Sequence, residues 1–351
     1  MLQLSVKYYN PATIITKQVP INFIVGARSV GKTYGFKKFL INKAIKTGRK
    51  FIYLRRNIVE IETVINFFGT VETDEAFKDV VFQQKGNMLY YAKTKDENDV
   101  WDWIHIGIMY GLTDWRKIKS NEYPEYDYIF YDEWQPGERG GFLKNEPRLF
   151  LDVMLSVFRG REGQAFLLGN SSVLYNPYFS YLDINPNVFQ EFTRSERDKD
   201  GFVKAIVQIL DSREWAESQA HTMMSKIIRG TPYEEFALEN KFSDNDSTLV
   251  ERKSKDSKNV AIFSIQGEMV GVWYDKKTKF VHMSEQYNPS LHLKYGFYTD
   301  DYDEKNVSYR EVFSSGVIEI ILEARKNNRI RFTSTKAKSI SSDALERLRI
   351  Y

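Results

Sequence analysis

The sequence predicts an α/β protein in parts: a parallel sheet built around a phosphate-binding loop, a short helical linker, and a smaller α+β domain. Three observations carry this. The apolar run Ile21–Val25 leads directly into Gly26-Ala27-Arg28-Ser29-Val30-Gly31-Lys32-Thr33, an instance of G-x-x-x-x-G-K-[ST], and Tyr34–Ile45 then has helical spacing. One hundred residues after Lys32, the bulky run Tyr126–Tyr131 ends in two adjacent acids, Asp132-Glu133. From Val260 the apolar period changes to that of short strands separated by turn residues.

Strand, glycine loop and helix, in that order, form the setting the first motif needs. Backbone N–H groups of such a loop point inward and wrap phosphates. Lys32 would reach the β- and γ-phosphates, and the Thr33 hydroxyl would hold Mg²⁺. The expected ligand is ATP. The guanine-reading N-K-x-D motif is missing, since Asn42-Lys43 is followed by Ala44-Ile45 and Asn240-Lys241 by Phe242-Ser243.

Composition narrows the chemistry. The absence of cysteine excludes disulfides and thiolate metal sites, and the four histidines (105, 221, 282 and 292) form no H-x-x-x-H pair. No apolar run reaches the ~18 residues of a membrane span and no signal-peptide layout is present, so the expectation is a soluble protein of the cytoplasm with no membrane partner. The net charge of +3 conceals an asymmetry: no Asp or Glu precedes Glu60, whereas twelve Lys and Arg do, leaving −9 on the rest by difference. Such a positive field suits nucleotide, DNA or RNA. A solvated basic helix accounts equally well for Lys37, Lys38, Lys43 and Lys46.

Phe51–Leu54 reads as a second buried strand, ending in Arg55-Arg56. Carboxyl ends of parallel strands face the ligand crevice, which makes these arginines candidates for phosphate or for a neighbouring subunit. Surface pairing with Glu60 or Glu62 is the expectation for at least one of them. Gly86–Leu112 reads as β-hairpins with Met88, Tyr90, Trp101 and Trp103 at the alternating apolar positions, and Thr113–Asn121 as a polar, basic loop. At the next strand end, Asp132 would enter the Mg²⁺ shell and Glu133 would polarise the attacking water. Beyond Gly137, Gly140 and Gly141, a helix from about Glu146 carries Leu149/Phe150, Val153/Met154 and Val157/Phe158 on one stripe and exits at Arg159-Gly160-Arg161. Arginines there suit either a finger reaching a neighbour's site or compensation of the helix dipole. Ala165–Gly169 is another buried strand, and Asn170 at its end is placed to sense the γ-phosphate or its water.

Taken together, Ile24–Arg28 with Gly31-Lys32, Phe51–Arg56, Lys119-Ser120-Asn121 before Tyr123-Pro124, Asp132-Glu133, Val157-Phe158-Arg159 with Arg161, and Asn176–Phe179 resemble the DNA-packaging ATPases of phi29-type phages. Gly230–Tyr233 and Glu251–Lys258 continue the resemblance over most of the chain. It implies an additional-strand (ASCE) P-loop ATPase working as a homopentameric ring at the portal vertex of an empty prohead, in the host cytoplasm and outside the mature virion. Such motors drive double-stranded DNA inward and dock on a structural packaging RNA. The resemblance also carries a trans-acting arginine finger onto Arg159, with Lys119 as a second basic trans residue and Arg161 beside them.

The expected division is an ATPase domain over 1–195, a helical linker over 196–240 and a second domain over 241–351. Ser212–Arg229 reads as helical, with Asp211 as N-cap and Gly230 as stop, and a second short helix opens at Thr231-Pro232. Val260–Gln266, Met269–Tyr274 and Lys279–Met283 read as three antiparallel strands, and a helix follows over about Arg310–Asn327. This order resembles the start of an RNase H-like domain, as in large-terminase nucleases. A two-metal nuclease needs clustered acids on such strands. The first strand has none, Asp275 falls at a turn, and Asp300, Asp301 and Asp303 read as a loop, so the expectation is a domain without nuclease activity. The alternative is a terminase-like motor that also cuts DNA there. The tail from Arg325 to Arg349 carries eight basic and two acidic residues among interleaved apolar ones, which suits contact with a nucleic-acid backbone or simply a solvated basic face.

Overall fold

Runs of bulky residues buried on both faces become the inner strands of a parallel sheet, and the first part of this chain is built that way. The structure, a computed structural model, describes residues 8–63, 66–136, 141–170, 176–182, 184, 190–211, 215, 217–218, 222–231, 249–265, 267–298, 301–302 and 306–348. The chain divides into two units, residues 1–172 with 181–241, and residues 173–180 with 242–351.

Among the described residues the first unit has nine strands: β1 Ile21–Val25, β2 Lys50–Arg55, β3 Val81–Lys85, β4 Met88–Ala92, β5 Ile104–Gly111, β6 Tyr126–Asp132, β7 Gln164–Gly169, β8 Phe192–Arg194 and β9 Ala205–Ile209. They lie in the order β3-β4-β5-β2-β6-β7-β1-β9-β8. The six from β5 to β9 are mutually parallel, so their carboxyl ends share one edge. β7 separates the loop-bearing β1 from β6, with Phe23 opposite Leu167 and Ile129 opposite Ala165. This is the additional-strand arrangement. The helix Lys32–Thr47 covers the sheet with Phe36, Leu40, Ile41 and Ala44, and Gly48 ends it in the left-handed conformation at φ 69°.

Two expectations change here. β9 is fully buried beside β1, so the sheet continues past residue 195, where the first domain was expected to end. In the expected hairpin region, β3 and β4 turn at Gly86 (φ 61°) and β4 and β5 pair antiparallel as expected, while the other edge of β5 pairs parallel with β2 and so joins the hairpins to the main sheet. The inward residues of β4 are Leu89 and Tyr91, whereas Met88 is 41% exposed, so the alternation runs with the opposite parity. Trp101 makes only an isolated bridge with Lys95.

The helix expected from about Glu146 spans Glu146–Phe158 and buries Phe150, Val153, Met154, Val157 and Phe158. Of the linker helix, Met223–Ile228 is helical, capped by Thr222 Oγ1 accepting from the Ser225 N–H at 3.2 Å. Its expected start at 212–214, the second helix from Pro232, and Gly137 and Gly140 lie outside the described residues.

The second unit's sheet contains β10 Lys258–Ile265, β11 Glu268–Tyr274, β12 Val281–Ser284, β13 Lys294–Gly296, β14 Val307–Ser308 and β15 Ile330–Phe332, in the order β14-β13-β10-β11-β12-β15. β10, β11 and β12 are antiparallel neighbours, while β13 and β14 run parallel to β10, the strand order of an RNase H-like sheet. β15 extends it by pairing parallel with β12. The helices Gly316–Lys326 and Thr335–Arg347 contribute Ile318, Ile321, Ala344 and Leu345 to the core. Three of the tail's eight basic residues have internal partners of this kind: Arg331 pairs with Glu251, Lys336 with Glu268 and Glu285, and Arg347 lies 3.9 Å from the Tyr298 ring centroid.

Phe36 anchors the first core, with ring centroids 4.8 Å from Phe166 and 6.0 Å from Phe130. Phe36→Ala should lower unfolding free energy by ~3–5 kcal/mol in urea titrations; a loss below ~1 kcal/mol would show that the loop helix does not depend on this packing.

Candidate nucleotide site

β1, β6 and β7 aim their carboxyl ends at one cleft of about 920 Å³, lined by Arg28, Lys32, Thr33, Asp132, Glu133 and Asn170 among others. The loop that closes it starts at Gly26 and Ala27 and turns through Ser29 and Val30 to Gly31, where φ is 85°; a Cβ on Gly31 would also come 2.8 Å from Tyr8 Cδ1. The Lys32 ammonium lies across the loop and donates to the carbonyls of Gly26 (2.9 Å) and Ala27 (2.7 Å). Burial pulls its pKa down to about 8, while Asp132 opposes that pull.

Thr33 Oγ1 donates to Asp132 Oδ1 at 3.0 Å, joining the loop helix to the end of β6. Asp132 is only 3% exposed. Burial raises its pKa, and the Arg55 guanidinium is the strongest influence pulling it back. Tyr53 donates its hydroxyl to Asp132 Oδ2 at 3.2 Å and accepts from Arg55 Nε at 2.8 Å. Arg55 Nη2 lies 3.6 Å from Asp132 Oδ2, and Nη1 is ion-paired with Glu133. Glu133 itself is left-handed, at φ 54°, a conformation uncommon for a side-chain-bearing residue.

Neither arginine of the Arg55-Arg56 pair takes the expected surface role with Glu60 or Glu62. Arg55 serves the two acids, and Arg56 is buried against Glu146 at 2.8 Å. Arg159, Arg161 and Lys119 lie elsewhere. Arg159, the C-cap of its helix, bonds to Glu122 (3.2 Å) and to the Asn121 carbonyl (3.1 Å). Arg161 pairs with Asp127 at 3.1 Å, and Lys119 with Asp152 at 3.5 Å. Asp127, which holds Arg161, stands at the amino end of β6, about 17 Å from Asp132 along the strand at ~3.3 Å per residue.

Sequence reasoning did not find Tyr53, nor Tyr8, Tyr34, Thr70 and Gln135 in the cleft wall. For Tyr53 a signal existed, since it sits two residues before a strand end aimed at the ligand edge. For the others there was none.

The donor set suits Mg²⁺: a hydroxyl and a carboxylate oxygen 3.0 Å apart are both hard oxygen ligands. Such a site, on this strand order, defines an additional-strand P-loop NTPase. A family model described as podovirus DNA encapsidation protein (Gp16) matches residues 4–350, and the chain belongs to that family. It is 29% identical over 345 residues to the DNA packaging protein of Bacillus phage phi29, covering 98% of each chain. With the DNA packaging protein of Bacillus phage B103 it shares 28% identity over 332 residues, covering 94% of this chain and 98% of that one. Among solved structures it matches a chain of the phi29 viral genome packaging motor assembly with a TM-score of 0.72 at 28% identity, covering 97% of this chain and 99% of that one. A chain of the Phi-28 gp11 DNA packaging motor shares the fold, with a TM-score of 0.64 at 16% identity and 99% of each chain covered.

Lys32 must be protonated to hold phosphate. A bound triphosphate favours the charged form, so binding takes up a proton once the pH exceeds the free protein's value of about 8. Affinity is then full below pH 8 and falls as pH rises. A fluorescent nucleotide titration should give a Kd about tenfold weaker at pH 9 than at pH 7; equal values would mean that Lys32 stays charged in the free protein.

Proposed function

We propose that this chain is the ATPase of a DNA-packaging motor and hydrolyses ATP to move double-stranded DNA into a preformed prohead. The observation that carries the reading is the Thr33–Asp132 contact beneath Lys32, with Glu133 next in the chain and Asn170 lining the same cleft. Lys32 exchanges its loop carbonyls for the β- and γ-phosphate oxygens. Thr33 and Asp132 are the residues that would hold Mg²⁺, which would draw charge from the phosphates. Glu133 orients a water and takes its proton during attack on the γ-phosphorus, the bond to the β–γ bridging oxygen breaks so that ADP leaves, and Asn170 contacts the γ-phosphate or that water.

Arg159, Arg161 and Lys119 are not among the residues lining the cleft, and Arg161 is held at the opposite end of β6 from Asp132, which supports a reading in which they serve the site of a second copy. Family membership supports a ring, homopentameric by resemblance, with packaging RNA and the portal as partners at the prohead vertex in the host cytoplasm. The second unit is read as lacking nuclease chemistry. Asp275 caps its own turn by accepting from the N–H of Lys277, and Asp301 accepts from the N–H groups of Gly267 and Tyr298, while Asp300 and Asp303 lie outside the described residues.

Glu133→Gln should bind ATP normally and lose turnover by about 10²–10⁴. Arg159→Ala should also be inactive. Mixed together, the two dead variants should regain DNA-stimulated turnover, because an intact Glu133 then meets an intact Arg159 from its neighbour. A mixture no more active than its parts would remove Arg159 from the shared site. Nicking of a plasmid by purified protein with Mn²⁺ would contradict the reading of the second unit.

A further inference from the structure

Consecutive strand residues point to opposite faces, so Arg55 and Arg56 leave the end of β2 in different directions. Both reach the residues around Glu133. Arg55 takes its carboxylate. Arg56 reaches the backbone one residue later, donating through Nη2 to the Trp134 carbonyl. The same guanidinium forks onto Glu146, with Nε 2.8 Å from Oε2 and Nη2 3.2 Å from Oε1, and it lies over the Phe142 ring. Glu146 is fully buried and also accepts from the Tyr131 hydroxyl at 2.9 Å and the Leu143 N–H at 2.7 Å. On its other side, the Trp134 N–H donates to the Leu168 carbonyl at 3.2 Å, and its indole is buried against Phe23.

We propose that Arg56, clamped by Glu146, is a positioning residue for hydrolysis: it fixes the Trp134–Gln135 peptide, while the Leu168 carbonyl holds the peptide between Glu133 and Trp134, and together they set where the Glu133 carboxylate stands. This rests on the reading of Glu133 as the group that activates water. The left-handed backbone at Glu133 persists only if its surroundings over-determine it, and the Arg56 and Leu168 bonds to the two sides of Trp134 do so. Stability alone does not call for such a pair, because well-packed apolar residues replace buried ion pairs at little or no cost. A planar fork does explain it. Only a guanidinium can bond two carboxylate oxygens and a third acceptor from one fixed plane.

The test uses the full chain and steady-state ATPase kinetics with DNA, alongside fluorescent-nucleotide binding and thermal melting. Arg56→Lys keeps the charge and removes the fork; Glu146→Gln keeps the shape and removes the charge. Each should hold KM and nucleotide Kd within about twofold while kcat falls about a hundredfold, the signature of a displaced reacting group. Wild-type kcat in both variants overturns the proposal. So does a loss of kcat that moves in step with weakened binding and a lowered melting temperature, since that is what a purely structural pair would give. If Arg56→Lys does not fold, Glu146→Gln decides by the same criteria, and failure of both to fold assigns the pair to stability. Glu133→Gln run in parallel keeps the two ideas separate: retained turnover there sinks the reading of Glu133, whatever the Arg56 variants do.

Discussion

A carboxylate taken out of water at the end of a β-strand must be answered by its neighbours, and Asp132 imposes that condition on the first unit. The answer comes from both sides of β6. From the loop helix comes the Thr33 hydroxyl; from β2 come the Tyr53 phenol and the Arg55 guanidinium. Lys37, buried one turn beyond the loop and bonded to the Phe67 carbonyl at 2.8 Å, adds a further positive charge nearby. The sheet order is therefore part of the chemistry. If β2 did not lie beside β6, the acid would lack the Arg55 charge that opposes the upward pull of burial on its pKa, and the Tyr53 hydroxyl that bonds its outer oxygen.

Much of this was legible in the sequence because it rests on local pattern. The glycine loop, the buried strands at 21–25, 50–55, 126–132 and 164–169, and the amphipathic helix at 146–158 each announce themselves within a dozen residues. The three long strands of the second unit emerge within two residues of expectation. What escaped is what depends on distant partners. β9 has five residues and follows a charged stretch, and only its place beside β1 shows that it belongs to the sheet. β13 and β14 are too short for any period to register. Glu146 looks like an acid in the first turn of a helix, and nothing in the sequence joins it to an arginine 90 residues earlier. β4 misled through parity, since a tyrosine or methionine fits either face of an edge hairpin.

The strand β6 also has two ends with different consequences. One presents Asp132 to the cleft; the other holds Arg161 through Asp127, beside the loop that anchors Arg159. Under the proposed mechanism each subunit carries an acceptor edge and a donor edge. Contacts of that kind are heterologous, and copies joined by them close into a ring when the rotation permits.

The position of β1 bears on how the chain is made. Its two neighbours are supplied by residues 164–169 and 205–209, so a strand buried along its whole length has no permanent partner when it leaves the ribosome. At ~5–20 residues per second, roughly 10–40 s of synthesis separate β1 from its last neighbour. Through that interval a five-residue apolar edge stays open to wrong pairings. The nascent chain's exposure to aggregation is thus set by where β9 falls in the sequence, well before nucleotide or DNA is met.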